Sequence, residues 1–159
     1  MSLTSGQLAT IKAYIVADNG LNALPNTNVG NSQIANTLNA QASPDFYVWL
    51  SSYTPELKAA AIDNGITQVD NLTASKRDTL LWWAARTHDA SKAATQAAMS
   101  DLCGMQNTLK AALIDGAKRK AKVIEKILAT GTGSLASPAT PGYEGTITPD
   151  EIEQARSLP

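Results

Sequence analysis

The sequence is poor in the residues that do chemistry. Among 159 residues there is one cysteine and one histidine. Cys103 can close no intramolecular disulfide, and one Cys with one His88 leaves zinc short of its usual ligands. The acids Asp63, Asp70, Asp78, Asp89, Asp101 and Asp115 are dispersed rather than clustered, so a magnesium or calcium site is not expected either. Excess positive charge is missing too. A formal charge of -1 and a pI near 5.7 argue against general affinity for nucleic acid or membrane surfaces. There is no basic, apolar, small-residue signal at the start. The longest apolar run of note, Leu80-Leu-Trp-Trp-Ala-Ala85, falls far short of the roughly 20 residues that span a bilayer. The expectation is a chain made in the cytoplasm, with no membrane and no disulfide.

What is present is helical periodicity. Thr4-Ser-Gly-Gln7 fits a capping box, and Leu8, Ile11 and Ile15 follow at helical spacing until Asn19-Gly20. After a polar stretch around Pro25, Ile34 and Leu38 stand four apart and predict a short second helix. Ser43-Pro44-Asp45 and Thr54-Pro55-Glu56 each place a capping hydroxyl before a proline, which predicts two helix starts. The first would carry Phe46, Trp49 and Leu50, the second Leu57, Ala61 and Ile62. Thr73 opens a helix to about His88 with a stripe of Leu80, Leu81, Ala84 and Ala85. Trp82 and Trp83 sit about 100° apart on it, so both cannot point at one core face, and one belongs at a boundary or interface. An alanine-rich helix runs from Ser91 to Leu102. A last long helix is predicted from Asn107 or Thr108 to Thr130, with Leu109, Leu113, Ile124 and Leu128 inward.

Beyond it the pattern stops. Residues 131–147 are rich in Gly, Pro, Ser and Thr, and cannot form a core of their own. Thr148-Pro149-Asp150-Glu151 then marks one short helix, too small to stand alone. The expected fold is therefore all-α: a helical bundle over residues 1–130 and an extended C-terminal arm over 131–159 that ends in a short helix. Leu135, Tyr143 and Ile147, the few apolar side chains of the arm, would anchor it on another surface. The arm would be flexible in the free subunit and ordered by a partner.

Two constellations bear on chemistry. His88 and Cys103 could form a nucleophile pair, against the plainer reading of a core-edge histidine and a small buried thiol. Gly131-Thr-Gly-Ser134 has the look of a phosphate loop, but it follows a helix and no Lys-Ser/Thr closes it. No catalytic site and no cofactor are expected. Six of the thirteen Lys and Arg fall on the long final helix, where Lys118, Lys122 and Lys126 recur every four residues. They predict an exposed basic ridge that is either a solvated face or a contact for an acidic partner or phosphates. Such a ridge would make a small nucleic-acid-binding module the alternative function.

Three segments resemble those of small structural proteins encoded among the virion genes of tailed bacteriophages. They are Ala42-Ser-Pro-Asp-Phe-Tyr-Val-Trp49, Val69-Asp-Asn-Leu-Thr73 and, above all, Ala129-Thr-Gly-Thr-Gly-Ser-Leu-Ala-Ser-Pro-Ala-Thr-Pro-Gly-Tyr-Glu-Gly145. A helical body with a C-terminal arm is similar in layout to head-to-tail adaptor (connector) proteins. That resemblance implies a homo-oligomeric ring in the virion neck, docked on the portal protein and on tail or nozzle proteins. It also implies possible contact with packaged DNA. The partner-binding residues expected are Lys118, Lys122, Lys126, Leu135, Tyr143 and Ile147. Another neck, tail or head structural protein is the nearest alternative.

Overall fold

The computed structural model describes residues 3–159. It is mostly helical, with ten helices and one two-stranded sheet among the described residues. The chain divides into two compact units: residues up to 47 together with 120–159 form unit 1, and 48–119 form unit 2. Unit 2 is thus inserted in the sequence of unit 1.

Unit 1 begins with α1 (Ser5–Ala17), whose capping box is formed as the sequence predicts: the Gln7 N–H donates to Thr4 Oγ1 and the Thr4 N–H to Gln7 Oε1. Asp18 caps the four-residue α2 (Asn19–Asn22), and Thr27 caps α3 (Asn28–Asn39). Two further helices complete the unit, α9 (Val123–Leu128) and α10 (Pro149–Arg156), the latter with a full Thr148/Glu151 capping box. Ile11, Ile15, Ile34, Leu38, Ile124, Tyr143, Ile147 and Ile152 are buried together in one core.

That core overturns the expected arm. Residues 131–159 do not reach away from a finished bundle; Ala139, Tyr143, Ile147, Ile152 and Ala155 are buried in the unit to which they belong. Side chains elsewhere in the unit satisfy the segment's polar backbone. Asn39 bonds Ile147 twice, its Nδ2 donating to the carbonyl at 2.8 Å and its Oδ1 accepting the N–H at 2.9 Å. Gln7 Nε2 donates to the Gly142 carbonyl at 2.8 Å. Arg156 on α10 donates to the carbonyls of Leu24 and Pro25 and to Asn31 Oδ1. Near the start of the segment, Thr130 and Thr140 exchange backbone hydrogen bonds of 2.9 and 2.8 Å and close a loop. Within it Gly133 has φ +65°, and the Phe46 ring lies where its Cβ would be. A residue with a side chain fails there on both counts. The division expected at residue 130 is therefore replaced by a discontinuous unit 1.

Unit 2 holds α4 (Pro55–Asn64), α5 (Ile66–Val69), α6 (Ala74–Ala84), α7 (Ala93–Cys103) and α8 (Asn107–Gly116). Leu80, Met99, Cys103, Leu109, Leu113 and Tyr53 are fully buried in its core. The Thr54-Pro55 and Thr73 starts fall where expected. The adjacent tryptophans separate as the helical angle requires: Trp83 is buried and Trp82 is exposed.

Two predicted helices are corrected by strand pairing. Residues after Pro44 form β1 (Tyr47–Trp49) instead of a helix, and the final long helix is interrupted after Gly116 by β2 (Lys118–Lys120). The two strands pair, with the Leu50 N–H donating to the Ala117 carbonyl at 2.9 Å and the Ala121 N–H to the Phe46 carbonyl at 2.8 Å. Phe-Tyr-Val-Trp is a strand composition, and the pairing buries Val48, Ala117 and Ala121. Those contacts outweigh the helical preference of Lys118, Arg119 and Lys120 between them, since tertiary pairing overrides propensity.

Candidate functional site

A buried polar cluster in unit 2 is built around Lys58, a residue outside the expected site. Thr54-Pro55 starts α4 so that Lys58 lies one turn in, on the same face as buried Ala61 and Ile62. Leu57, expected in that face, is instead 42% exposed. Lys58 itself is fully buried. Its ammonium donates to the Tyr53 carbonyl at 2.8 Å, to the Arg86 carbonyl, and to His88 Nδ1 at 2.9 Å. It also lies 4.9 Å from the centre of the Tyr53 ring and 4.7 Å from that of Trp83. The ammonium therefore spends its three protons on its own chain and sits in an aromatic box.

The rest of the cluster holds that box in shape. Tyr53 and His88 exchange backbone hydrogen bonds of 2.7 and 3.1 Å. The Trp83 ring stacks on His88 with centroids 4.8 Å apart and meets Tyr53 edge to face at 6.3 Å. The Tyr53 hydroxyl donates to the Leu113 carbonyl at 3.0 Å, joining the cluster to α8. His88 Nδ1 also lies 3.1 Å from the Arg86 carbonyl. An ammonium has no acceptor and a carbonyl no donor, so Nδ1 accepts from Lys58 in the tautomer that carries the ring proton on Nε2 and donates to Arg86 in the other.

Burial governs the titration of these groups. It pushes the Lys58 amine down from 10.5 to about 8. His88 is held below its ordinary 6.5, first by burial and then by the Lys58 charge. The folded state thus resists a proton that unfolded His88 accepts, and stability from this group is lost as pH falls below 6.5. For Lys58 the unfolded chain binds the proton more tightly, so its contribution rises between pH 8 and 10.5. Burial raises the Tyr53 phenol and lifts the Cys103 thiol from 9.0 to about 11, which acts in the opposite direction above pH 9. In a Lys58→Met variant, His88 should titrate at higher pH than in the native protein, as read from imidazole NMR shifts. An unmoved His88 would show that the ammonium does not face Nδ1.

Chemically, the arrangement fastens a loop. Lys58 ties Arg86, two residues past α6, to Tyr53, two residues before α4, and Cys103, buried in the core, is a thiol at neutral pH. The cluster gives no reason to assign a reaction to either group.

The residues expected to bind partners are scattered. Lys118 is on β2 in unit 2, its side chain 8% exposed and paired with Asp115 at 2.7 Å. Lys122 precedes α9 in unit 1 and donates to the Gly145 carbonyl at 2.8 Å. Lys126 lies on α9 with its ammonium 5.9 Å from the Phe46 ring centre. The four-residue spacing makes no ridge because β2 interrupts the helix that would have aligned them. Tyr143 and Ile147 are core residues, and the Tyr143 hydroxyl donates to the Thr146 carbonyl at 2.8 Å. Of the arm's apolar trio only Leu135 is exposed, at 56%.

Exposed apolar surface is present in unit 2. Leu81 and Trp82 stand 51% and 60% exposed on α6, and the Arg86 guanidinium lies 3.5 Å from the centre of the Trp82 ring. No described helix is long and apolar enough to cross a membrane. No group of three or more His, Cys, Asp or Glu among the described residues could hold a metal ion. Set against models of known protein families, curated proteins and solved structures, the chain matches none of them.

Proposed function

We propose that the chain is a structural protein of a tailed-bacteriophage virion, a non-catalytic homo-oligomeric component of the neck in the manner of a head-to-tail adaptor. The single observation that carries an assembly role is Trp82, left largely exposed on α6 with Arg86 over its ring. Tryptophan and arginine are the residue types that interfaces concentrate at their energetic centres. The phage and neck parts of the reading rest on the resemblance of residues 42–49, 69–73 and 129–145.

In this reading the surface does the work and the Lys58 cluster keeps it rigid. Portal and tail contacts run through exposed groups such as Trp82 and Leu135. Tyr143 and Ile147 are withdrawn from that role, because each would have to leave a core to reach a partner. The test is capture of the portal protein encoded with this chain, together with mass spectrometry of the virions. Portal binding and presence in the particle at many copies are expected. A protein absent from virions that binds no portal would overturn the proposal.

A further inference from the structure

Two of the open apolar features of unit 2 differ in shape. One is the ridge of Leu81 and Trp82 on α6. Arg86 stiffens it, since its Nη1 donates to the Trp82 carbonyl at 2.8 Å while the guanidinium covers the indole. A side chain already held in one conformation loses little entropy on docking. The other feature is a groove between α4 and α8 of about 470 Å³, lined by Leu57, Ala60, Ala111 and Ala112 among others. That volume lies in the range, roughly 300–1,000 Å³, of sites that take up an inserted group.

Charge distinguishes the two. The ridge carries the cation of Arg86. The groove is lined also by Asp115, whose side chain is 68% exposed while its partner Lys118 is nearly buried at 8%. The carboxylate therefore presents itself to the outside. Ridge against ridge would oppose two Arg86 side chains. Groove against groove would oppose two Asp115 carboxylates and leave both hollows empty. Only ridge against groove satisfies shape and charge together.

Resting on the homo-oligomeric part of the proposed function, we infer that the Leu81–Trp82 ridge of one copy docks in the α4–α8 groove of a second copy of this chain, with Arg86 meeting Asp115. This is a head-to-tail contact. Each added copy still offers a free ridge at one end and a free groove at the other, so the assembly grows until rotation closes it into a ring, or continues as a filament.

Sedimentation of the full-length protein over a range of concentrations tests this. The native chain should gain mass with concentration. Trp82→Ala removes the ridge and Ala111→Trp fills the groove; each should weaken self-association by tenfold or more. Ala60→Trp, on the facing wall, serves in place of Ala111→Trp if that variant fails to unfold cooperatively like the native protein. The decisive sample is an equimolar mixture of Trp82→Ala and Ala111→Trp. The first keeps a groove and the second a ridge, so the mixture should form a heterodimer and nothing larger. If the native protein associates and neither variant changes it, the inference falls while the homo-oligomeric reading stands. If Trp82→Ala blocks association but both groove variants leave it intact, the ridge meets something other than the groove and the inference is overturned. A mixture that forms no dimer overturns the head-to-tail geometry. A native protein that stays monomeric at every concentration removes both the inference and the reading beneath it.

Discussion

Truncation after residue 130 should unfold unit 1. The segment removed supplies Tyr143, Ile147 and Ile152 to a core shared with Ile11, Ile34, Leu38 and Ile124. Each large apolar side chain contributes about 1.5–3 kcal/mol when buried, so three of them amount to a substantial part of a domain's entire stability, roughly 5–15 kcal/mol. The hydrogen bonds of Asn39 to Ile147 and of Arg156 to Leu24 and Pro25 go with them. Circular dichroism should show a loss of helix well beyond the eight residues of α10. Limited proteolysis should leave a resistant core no longer than unit 2. Slow hydrogen exchange at Ile34 and Leu38 in the truncated chain would sink this prediction.

Leu80→Ala should destabilise unit 2 by about 2–5 kcal/mol. Leu80 is fully buried among the side chains of the unit 2 core. The α6 backbone that carries it is fixed at its start by the Thr73 cap and at its end by Lys58 on the Arg86 carbonyl. With both ends held, the helix cannot slide to fill the space, and the cost should lie in the upper part of that range. Chemical denaturation followed by tryptophan fluorescence reads it through buried Trp83. A change below about 1 kcal/mol would mean that the core relaxes around the lost methyl groups.

Local signals in the sequence were readable where the cause was itself local. A hydroxyl followed by Gln7 or Glu151 three residues on marks a helix start, and these starts are where expected, as is the one at Thr54-Pro55; the same hydroxyl-proline pair at Ser43-Pro44 starts no helix, because strand pairing takes the residues after it. The angle between Trp82 and Trp83 likewise follows from helix geometry alone. What escaped was non-local. Nothing near Lys118 announces that Leu50 will bond the Ala117 carbonyl, and without that partner the run from Asn107 reads as a helix. The segment after Gly131 has too few apolar residues to make a core, which is correct; it completes one begun more than a hundred residues earlier. Lys58 gave one signal that could have been read. It stands three and four positions before Ala61 and Ile62, on the buried stripe, and a lone cation there calls for carbonyl or aromatic partners.

The insertion of unit 2 between the two halves of unit 1 sets an order on synthesis. Residues 48–119 leave the ribosome as one continuous stretch with everything their core requires. Helices α1–α3 are made before that stretch, yet the strip that carries Ile11, Ile15, Ile34 and Leu38 cannot be covered until Ile147 and Ile152 have emerged. At about 5–20 residues per second that interval is on the order of ten seconds. Residues 48–119 can thus reach their fold while the apolar strip of α1–α3 is still uncovered, and the core begun by Ile11 and Ile34 waits on Ile147 and Ile152.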